Sequence, residues 1–345
     1  MPGYLQDQLW IRTIPSQYTP KQVSQYLATS GVLPESHFTT DVNIADGKFP
    51  RGLETLSAIV KQHLITFPFE NTAMHYSESH GIDISAQALF SRFVDERKGS
   101  FCFGQNTILL EMLRGLGFRA YAGSGRVNMN WQNPSKERAF GAQLHMLVFV
   151  QPFDDSTETY VVDVGFGGSG LTRPIPLTDG SGSQTRGAGP SETHRLVKDP
   201  FSRSSLGKWA NSPIPSGQEV WNLEVRHTGK GGSTGAWKRV YAFTEQEFFP
   251  EDCVAASAYV TSALPLFKEN VLCIRYILDE ESTYGDLYRA VLFGREVKVR
   301  KGDGEAEVVA TVTTESERVK VLSEFFGIAV RDEDIAFIEG TPAQL

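Results

Sequence analysis

Cysteine is scarce. The 345 residues hold three, Cys102, Cys253 and Cys273. So sparse and odd a set is no disulfide framework, and no CxxC pair supplies a zinc site, so each thiol is either buried filler or a reagent. No apolar run approaches the roughly 18 residues of a membrane span. The opening segment MPGYLQDQLWIRTIPSQYTP lacks a basic stretch followed by an apolar one, so no secretory signal is read. A basic excess is missing too. Lys and Arg number 33 against 41 Asp and Glu, a net charge of −8. That disfavours nucleic acid or a membrane surface as a broad partner, and leaves room for a local basic patch. These absences point to a cytoplasmic protein. What is present is a 40% hydrophobic chain with 21% charged residues, enough for a sizeable core in two or three units.

The first hundred residues read as helical. Thr19-Pro20 predicts an N-cap with proline in the first turn, followed by Val23, Tyr26 and Leu27 on one face. Helical spacing recurs over Leu53–Ile65 and near Ser85–Val94. After about Ala120 the pattern turns to strands: Leu144–Val150, Tyr160–Val164, Val240–Phe243, Val271–Leu278, Tyr288–Phe293 and Val308–Val312. Two breaker-rich stretches, Thr178–Pro190 and Phe201–Gln218, read as long loops or insertions. Thr314 and Glu317 form a capping box that opens a helix carrying Val319, Leu322 and Phe326.

Cys102 stands in RKGSFCFGQNTILLEMLRGLGF. Ile108, Leu109, Met112, Leu113 and Leu116 recur at helical spacing behind it, so a helix starts at or just after the thiol. Free N–H groups and the helix dipole there favour a thiolate, and Arg97 and Lys98 add positive charge. Burial as filler is the competing reading. Cys253 and Cys273 read as filler.

Three of the histidines compete as a base for that thiol: His63, His75 and His145. His145 lies inside the apolar run LHMLVFV, where burial requires a partner. The next strand supplies Asp163. A hairpin symmetric about Asp154 would set His145 and Asp163 directly opposite on one face. The order Cys, His, Asp suits a nucleophile, a base and a group that orients the base. A His–Asp pair that only satisfies itself is the bland alternative. Gly165–Gly170 matches GxGxxG, but Pro174 and Pro176 follow where a dinucleotide site needs a helix, so that reading is rejected. The glycines instead would let the backbone pass close to a substrate beside Asp163.

With these residues in place, the chain resembles the arylamine N-acetyltransferases. The resemblance rests on PFEN (Pro68–Asn71), KGSFCFGQN around Cys102, His145 ahead of a strand, and DVGFGG (Asp163–Gly168). It runs from YTPKQVSQYL to LPLF (Leu264–Phe267), and the long insertions look most like those of fungal members. The resemblance implies an α+β fold around a cysteine-protease-like core. A helical bundle (1–120) would carry the cysteine, a β-barrel with insertions (121–235) the histidine and aspartate, and an α/β lid (236–345) would follow. It implies a triad of Cys102, His145 and Asp163. The family passes an acyl group from acyl-CoA, through a thioester on the cysteine, to an aromatic amine, hydrazine or N-hydroxyarylamine. No bound cofactor and no metal are implied; acetyl-CoA or malonyl-CoA is a co-substrate.

By the same resemblance, Gly141 would offer an N–H to the oxyanion, and Phe166, Gly167, Phe69 and Leu144 would line the pocket. Glu70, Asn71, Arg97 and Lys98 would support it. The usual RGG before the cysteine is here Lys98-Gly99-Ser100, so Arg97 or Lys98 is expected to pair with Glu70. The usual Glu two after the cysteine is Gly104, and the Thr often found before the histidine is Leu144. Acetyl is the leading donor, with malonyl and then propionyl or another short acyl as alternatives. A malonyl carboxylate would want a cation near Cys102: Arg126, Arg173, Arg97 or Lys98. Arg186 and Lys208 are weak candidates for the nucleotide end of CoA. A thiol hydrolase or amidase on the same triad, and a binding protein with an inert triad, are the readings from other classes.

Overall fold

The computed structural model describes residues 2–32, 36–133, 135–206, 218–229, 232–302 and 304–345. The helices are α1 (Pro20–Ser30), α2 (Asp41–Ala45), α3 (Leu53–Thr66), α4 (Ala86–Phe90), α5 (Cys102–Gly115), α6 (Pro250–Ala263), α7 (Pro265–Lys268) and α8 (Glu315–Phe326). Local signals placed several of them. Thr19 accepts the Gln22 N–H and Gln22 accepts that of Thr19 in return, with Pro20 in the first turn of α1. Thr314 and Glu317 make the same reciprocal cap on α8. α3 buries Leu56, Ile59, Val60 and Leu64 as its spacing predicts. The stretch expected as one helix near Ser85–Val94 is split: α4, capped by Ser85, widens into a π turn over Ser91–Asp95.

The strands are β1 (Phe69–Glu70), β2 (Arg119–Asn128), β3 (Phe140–Gln151), β4 (Tyr160–Val162), β5 (Ile175–Pro176), β6 (Thr185–Arg186) and β7 (Glu192–Pro200). They continue with β8 (Glu219–His227), β9 (Lys238–Glu247), β10 (Leu272–Leu278), β11 (Leu287–Phe293), β12 (Glu296–Arg300) and β13 (Glu307–Thr311). One sheet runs β5-β4-β3-β2-β9-β8-β7-β6 and the other β1-β10-β11-β12-β13. The first curls into a nearly closed barrel. Ser183, in the turn between β5 and β6, helps fasten it, its hydroxyl bonding both the N–H and the carbonyl of Leu196 on β7. The division expected at 235/236 runs between β8 and β9, which pair along their length, so β9 belongs with the barrel. Strands β2, β7, β8 and β12 carry Gly, Ser or interspersed charge and give little strand signal; cross-strand neighbours decide them. The stretch 178–190 is irregular apart from a short 3-10 turn at Gly180–Ser183 and the two-residue β6. Of 201–218, residues 207–217, including Lys208, lie outside the described residues.

The C-terminal sheet and the α5 segment meet at β1. Phe69 and Glu70 pair with Ile274 and Cys273 of β10 on one side and bridge Ser100 on the other. Gln105 on α5 donates to the Pro68 carbonyl at 2.7 Å. The approach is so close that a Cβ on Gly99 would stand 1.6 Å from the Pro68 oxygen. Gly99→Ala should therefore cost at least about 3 kcal/mol, the upper end of overpacking. Urea denaturation would show it, and a wild-type midpoint would refute the packing described.

Candidate active site

Cys102 is the first residue of α5 and is nearly buried, and its Sγ lies 3.8 Å from the Leu144 carbonyl. Its backbone N–H belongs to the first turn, where no partner exists within the helix. The loop after β4 packs directly on it. A Cβ on Gly165 would come within 2.7 Å of Cys102 Cα and 2.6 Å of Asn106 Nδ2. The closeness that glycine permits here is to the chain's own helix, where a substrate was expected.

His145 Nε2 lies 2.7 Å from Asp163 Oδ2. The expected hairpin register is off by two. Val148 faces Val162 and Val150 faces Tyr160, which sets Asp163 beside position 147. A shift of two keeps both side chains on one face, because a strand repeats every second residue. The pair therefore meets diagonally. Asp163 Oδ1 accepts from Asn106 Nδ2 at 3.0 Å and from the Gly165 N–H at 2.9 Å. Tyr241 donates its hydroxyl to Oδ2 at 3.0 Å. Asn106 also donates to the Met146 carbonyl at 2.7 Å and accepts the Val164 N–H at 3.0 Å, tying α5 to β3 and to the loop that follows β4.

Burial alone would raise the Asp163 carboxyl, but His145 and the hydrogen bonds outweigh it and hold the group below the usual carboxylate range. Burial opposes a charged His145, yet Asp163, with a smaller contribution from the neighbouring Cys102 sulfur, pushes it up to about 10. With Nε2 held by Asp163, Nδ1 is the nitrogen left for the thiol. A thiol beside an imidazole that a carboxylate keeps oriented is competent for covalent acyl transfer.

Aromatic side chains wall this group. Phe166 meets His145 edge-on at 5.3 Å and Trp131 at 6.0 Å between ring centres. Phe69 lies 6.3 Å from Phe267. Gly167, at φ +87, passes Phe69 and Ile274, and its carbonyl accepts the Tyr276 hydroxyl at 2.7 Å. Leu144 is half-buried beside the thiol. Gly141 does not join them. It lies four residues up β3 from His145, about 13 Å at the rise of a strand, and its carbonyl accepts from Arg126 at 3.2 Å. Its N–H is out of reach of an oxyanion at Cys102.

The PFEN motif holds the approach to the cysteine. Glu70 does not pair with Arg97 or Lys98. Its partner is Arg92 from the π turn, at 2.5 Å, and Thr72 donates both its N–H and its hydroxyl to the second oxygen. Arg92 also donates to the Gly99 carbonyl at 2.6 Å. Lys98 pairs with Glu96 instead, and Arg97, at φ +55, makes no ion pair among the described residues. Asn71 reaches the C-terminal sheet, accepting the Leu272 N–H at 2.8 Å and donating to Phe267 and Asn270 carbonyls. The other candidate bases have structural posts. His63 joins Tyr26 to Gln105, and His75 sits against Asn71 and the same two carbonyls. Cys253 and Cys273 are buried, and burial pushes the Cys253 thiol up to about 12. No metal-holding group and no helix long and apolar enough to cross a membrane occur among the described residues.

Comparison with known proteins shows the family. The sequence model of a family described as N-acetyltransferase matches residues 52–335. The N-malonyltransferase FDB2 of Fusarium pseudograminearum is 32% identical over 339 residues, 95% of this chain and 94% of that protein. The arylamine N-acetyltransferase of Mycolicibacterium smegmatis is 34% identical over 221 residues, 63% of this chain and 67% of its own. The chain belongs to the arylamine N-acetyltransferase family. Solved structures match in fold. That of the M. smegmatis arylamine N-acetyltransferase gives a TM-score of 0.65 at 26% identity, over 92% of this chain and 97% of the other. That of Mycobacterium marinum gives 0.68 at 23%, over 92% and 98%. As a family member the protein is an acyltransferase.

Three residues that matter to this N-acyltransferase escaped sequence reading. Asn106 had a signal, one helical turn past Cys102. Arg92 and Tyr241 had none, since strand pairing and the π turn bring them in. Replacing Tyr241 by Phe removes a donor to a buried carboxylate, worth about 1.5–3 kcal/mol, and should lower kcat at least tenfold with KM little changed; unchanged kcat would refute the role. Arg92→Gln strands Glu70 and should cost about 3–5 kcal/mol in urea denaturation, whereas Arg97→Ala should stay within about 0.5 kcal/mol of wild type. Equal losses would restore the expected Arg97 pairing. The His145–Asp163 pair also predicts a pH dependence. The raised imidazole contributes fully below about 6.5, and that contribution fades as pH climbs through about 10. The lowered carboxyl contributes above about 4 and is lost as pH falls through its native value. The stability gap between wild type and Asp163→Asn should thus narrow toward both extremes, and a constant gap would count against it.

Proposed function

We propose that the protein transfers a short acyl group from acyl-CoA to the nitrogen of an arylamine or arylhydrazine by a ping-pong route through a Cys102 thioester. The observation that carries this is the 2.7 Å contact that fixes His145 Nε2 on Asp163 and leaves Nδ1 for the thiol. His145 takes the Cys102 proton, and the thiolate adds to the thioester carbonyl of acyl-CoA. The Cys102 N–H, free of an intrahelical partner at the start of α5, donates to the oxyanion in this reading. Collapse breaks the bond to CoA, whose sulfur leaves with the proton from His145. The amine then adds to the Cys102 thioester and gives its proton to the imidazole, and a second collapse returns the thiolate. Asp163 stabilises the imidazolium throughout. The wall of Phe166, Trp131, Phe69 and Phe267 suits a flat aromatic acceptor and keeps water from the thioester, which favours transfer over hydrolysis.

Of the two donors, malonyl-CoA is favoured. The Fusarium relative that carries the name N-malonyltransferase matches nearly end to end, whereas the mycobacterial N-acetyltransferase matches over about two thirds. The test is a donor panel with one aminophenol, following CoA release. Turnover that needs the amine and is fastest with malonyl-CoA is expected. Faster acetyl transfer would reverse the donor assignment, and equal release without amine would indicate a hydrolase. Cys102→Ser should fold normally and lose transfer by several orders of magnitude. Near-normal activity, or no acyl adduct on wild-type Cys102 by mass spectrometry, would remove the thioester.

A further inference from the structure

Outside the Cys102 group, three cations from separate elements gather where α3, the segment after the Asp163 loop and the β10–β11 turn approach one another. They are Lys61, Arg173 and Arg186, and among them stands one carboxylate, Asp286. That carboxylate is already engaged. Arg186 Nη2 donates to its Oδ2 at 2.7 Å, and Ser282 donates its hydroxyl to the same oxygen at 2.7 Å. Lys61 and Arg173 have no ion pair and no side-chain hydrogen bond among the described residues. The Lys61 ammonium lies close over Gly285, at φ +64, where a Cβ would stand 2.5 Å from Nζ. The Nε atoms of Arg173 and Arg186 are buried without partners, and so is Asp286 Oδ1, the second oxygen of the one carboxylate. Tyr284 lies under the Arg186 guanidinium at 5.3 Å.

Such a cluster costs stability as it stands. Burial, then the charge of Arg173, disfavours the Lys61 ammonium; burial, then the charge of Arg186, disfavours Arg173. Asp286 is the one carboxylate that offsets either. Half-buried cations that repel one another and outnumber the single carboxylate among them are the complement of a small anion with more than one charge and several acceptor oxygens. A phosphate group has both properties, whereas a carboxylate brings a single charge.

We infer that Lys61, Arg173 and Arg186 form a binding site for a phosphate group, supplied either by the nucleotide end of CoA or by free phosphate. The site itself does not depend on the acyl-transfer reading; only the CoA source does. Calorimetric titration at constant ionic strength, with inorganic phosphate, CoA and dephospho-CoA, tests it on wild type, Lys61→Gln and Arg173→Gln. Phosphate should bind wild type and lose about tenfold or more in affinity in each variant. In chloride alone the variants should melt at or above the wild-type temperature, because a repulsion is gone. A tenfold loss for CoA that is absent with dephospho-CoA assigns the site to the 3′-phosphate of CoA, and KM for acyl-CoA then rises in Arg173→Gln with kcat unchanged. A loss seen with inorganic phosphate but with neither CoA form assigns it to free phosphate. Equal affinity of wild type and variants for all three probes, or lower melting temperatures of the variants in chloride, would overturn the site.

Discussion

A buried negative charge at Asp163 governs the arrangement of the site. Left alone there, a carboxylate would take a proton or the region would not fold. It is kept ionised by an imidazole, an amide side chain, a backbone N–H and a phenol that come from β3, α5, its own loop and β9. Each donor fixes one element relative to the others. The position of the cysteine follows from this, since Asn106 sits on the helix that begins with Cys102 and Gly165 is pressed against the Cys102 backbone. The electrostatic requirement of one side chain thus sets the geometry of the thiol without touching it.

A second buried carboxylate, Glu70, plays the corresponding part in the helical layer. Its partner differs from the one the motif suggested, and the neighbourhood shows a matched exchange. Ser100 stands where the family has glycine, and Gly104 stands where it has a longer side chain. A Cβ on Gly104 would fall 2.2 Å from the Ser100 hydroxyl, so the two residues occupy one volume between them. The departures from the motif are therefore coupled. Both residues are buried, on the side of α5 that packs against Leu89 of α4.

The legible parts of this protein were those fixed by local chemistry: the Thr19 and Thr314 caps, the helix that starts at Cys102, and a histidine in an apolar run that needed a carboxylate within one hairpin. Even there, the hairpin was displaced by two residues, and only the period of a strand saved the pairing. What stayed hidden depends on non-local pairing. Tyr241 reaches Asp163 because β9 lies beside β2. Arg92 reaches Glu70 because a π turn rotates it there. β2, with its Gly and Ser residues, is a strand because β3 and β9 flank it. The nucleotide-loop pattern at Gly165 shows the reverse case, a motif whose spacing was met for a different reason, the packing of a loop on a helix.

The two-residue strand β1 has a consequence for how broadly such an enzyme can vary. It is at once the edge of the C-terminal sheet and the flank of the cysteine's approach, so it acts as a joint more than as a wall. Phe69 rides on that joint and Phe267 on the segment that Asn71 anchors. Any change that reseats β10–β13 on the helices alters the gap between those two rings while leaving His145 and Asp163 where they are. The spacing of that aromatic pair can therefore drift through substitutions remote from the thiol, with the His145–Asp163 contact shielded from them.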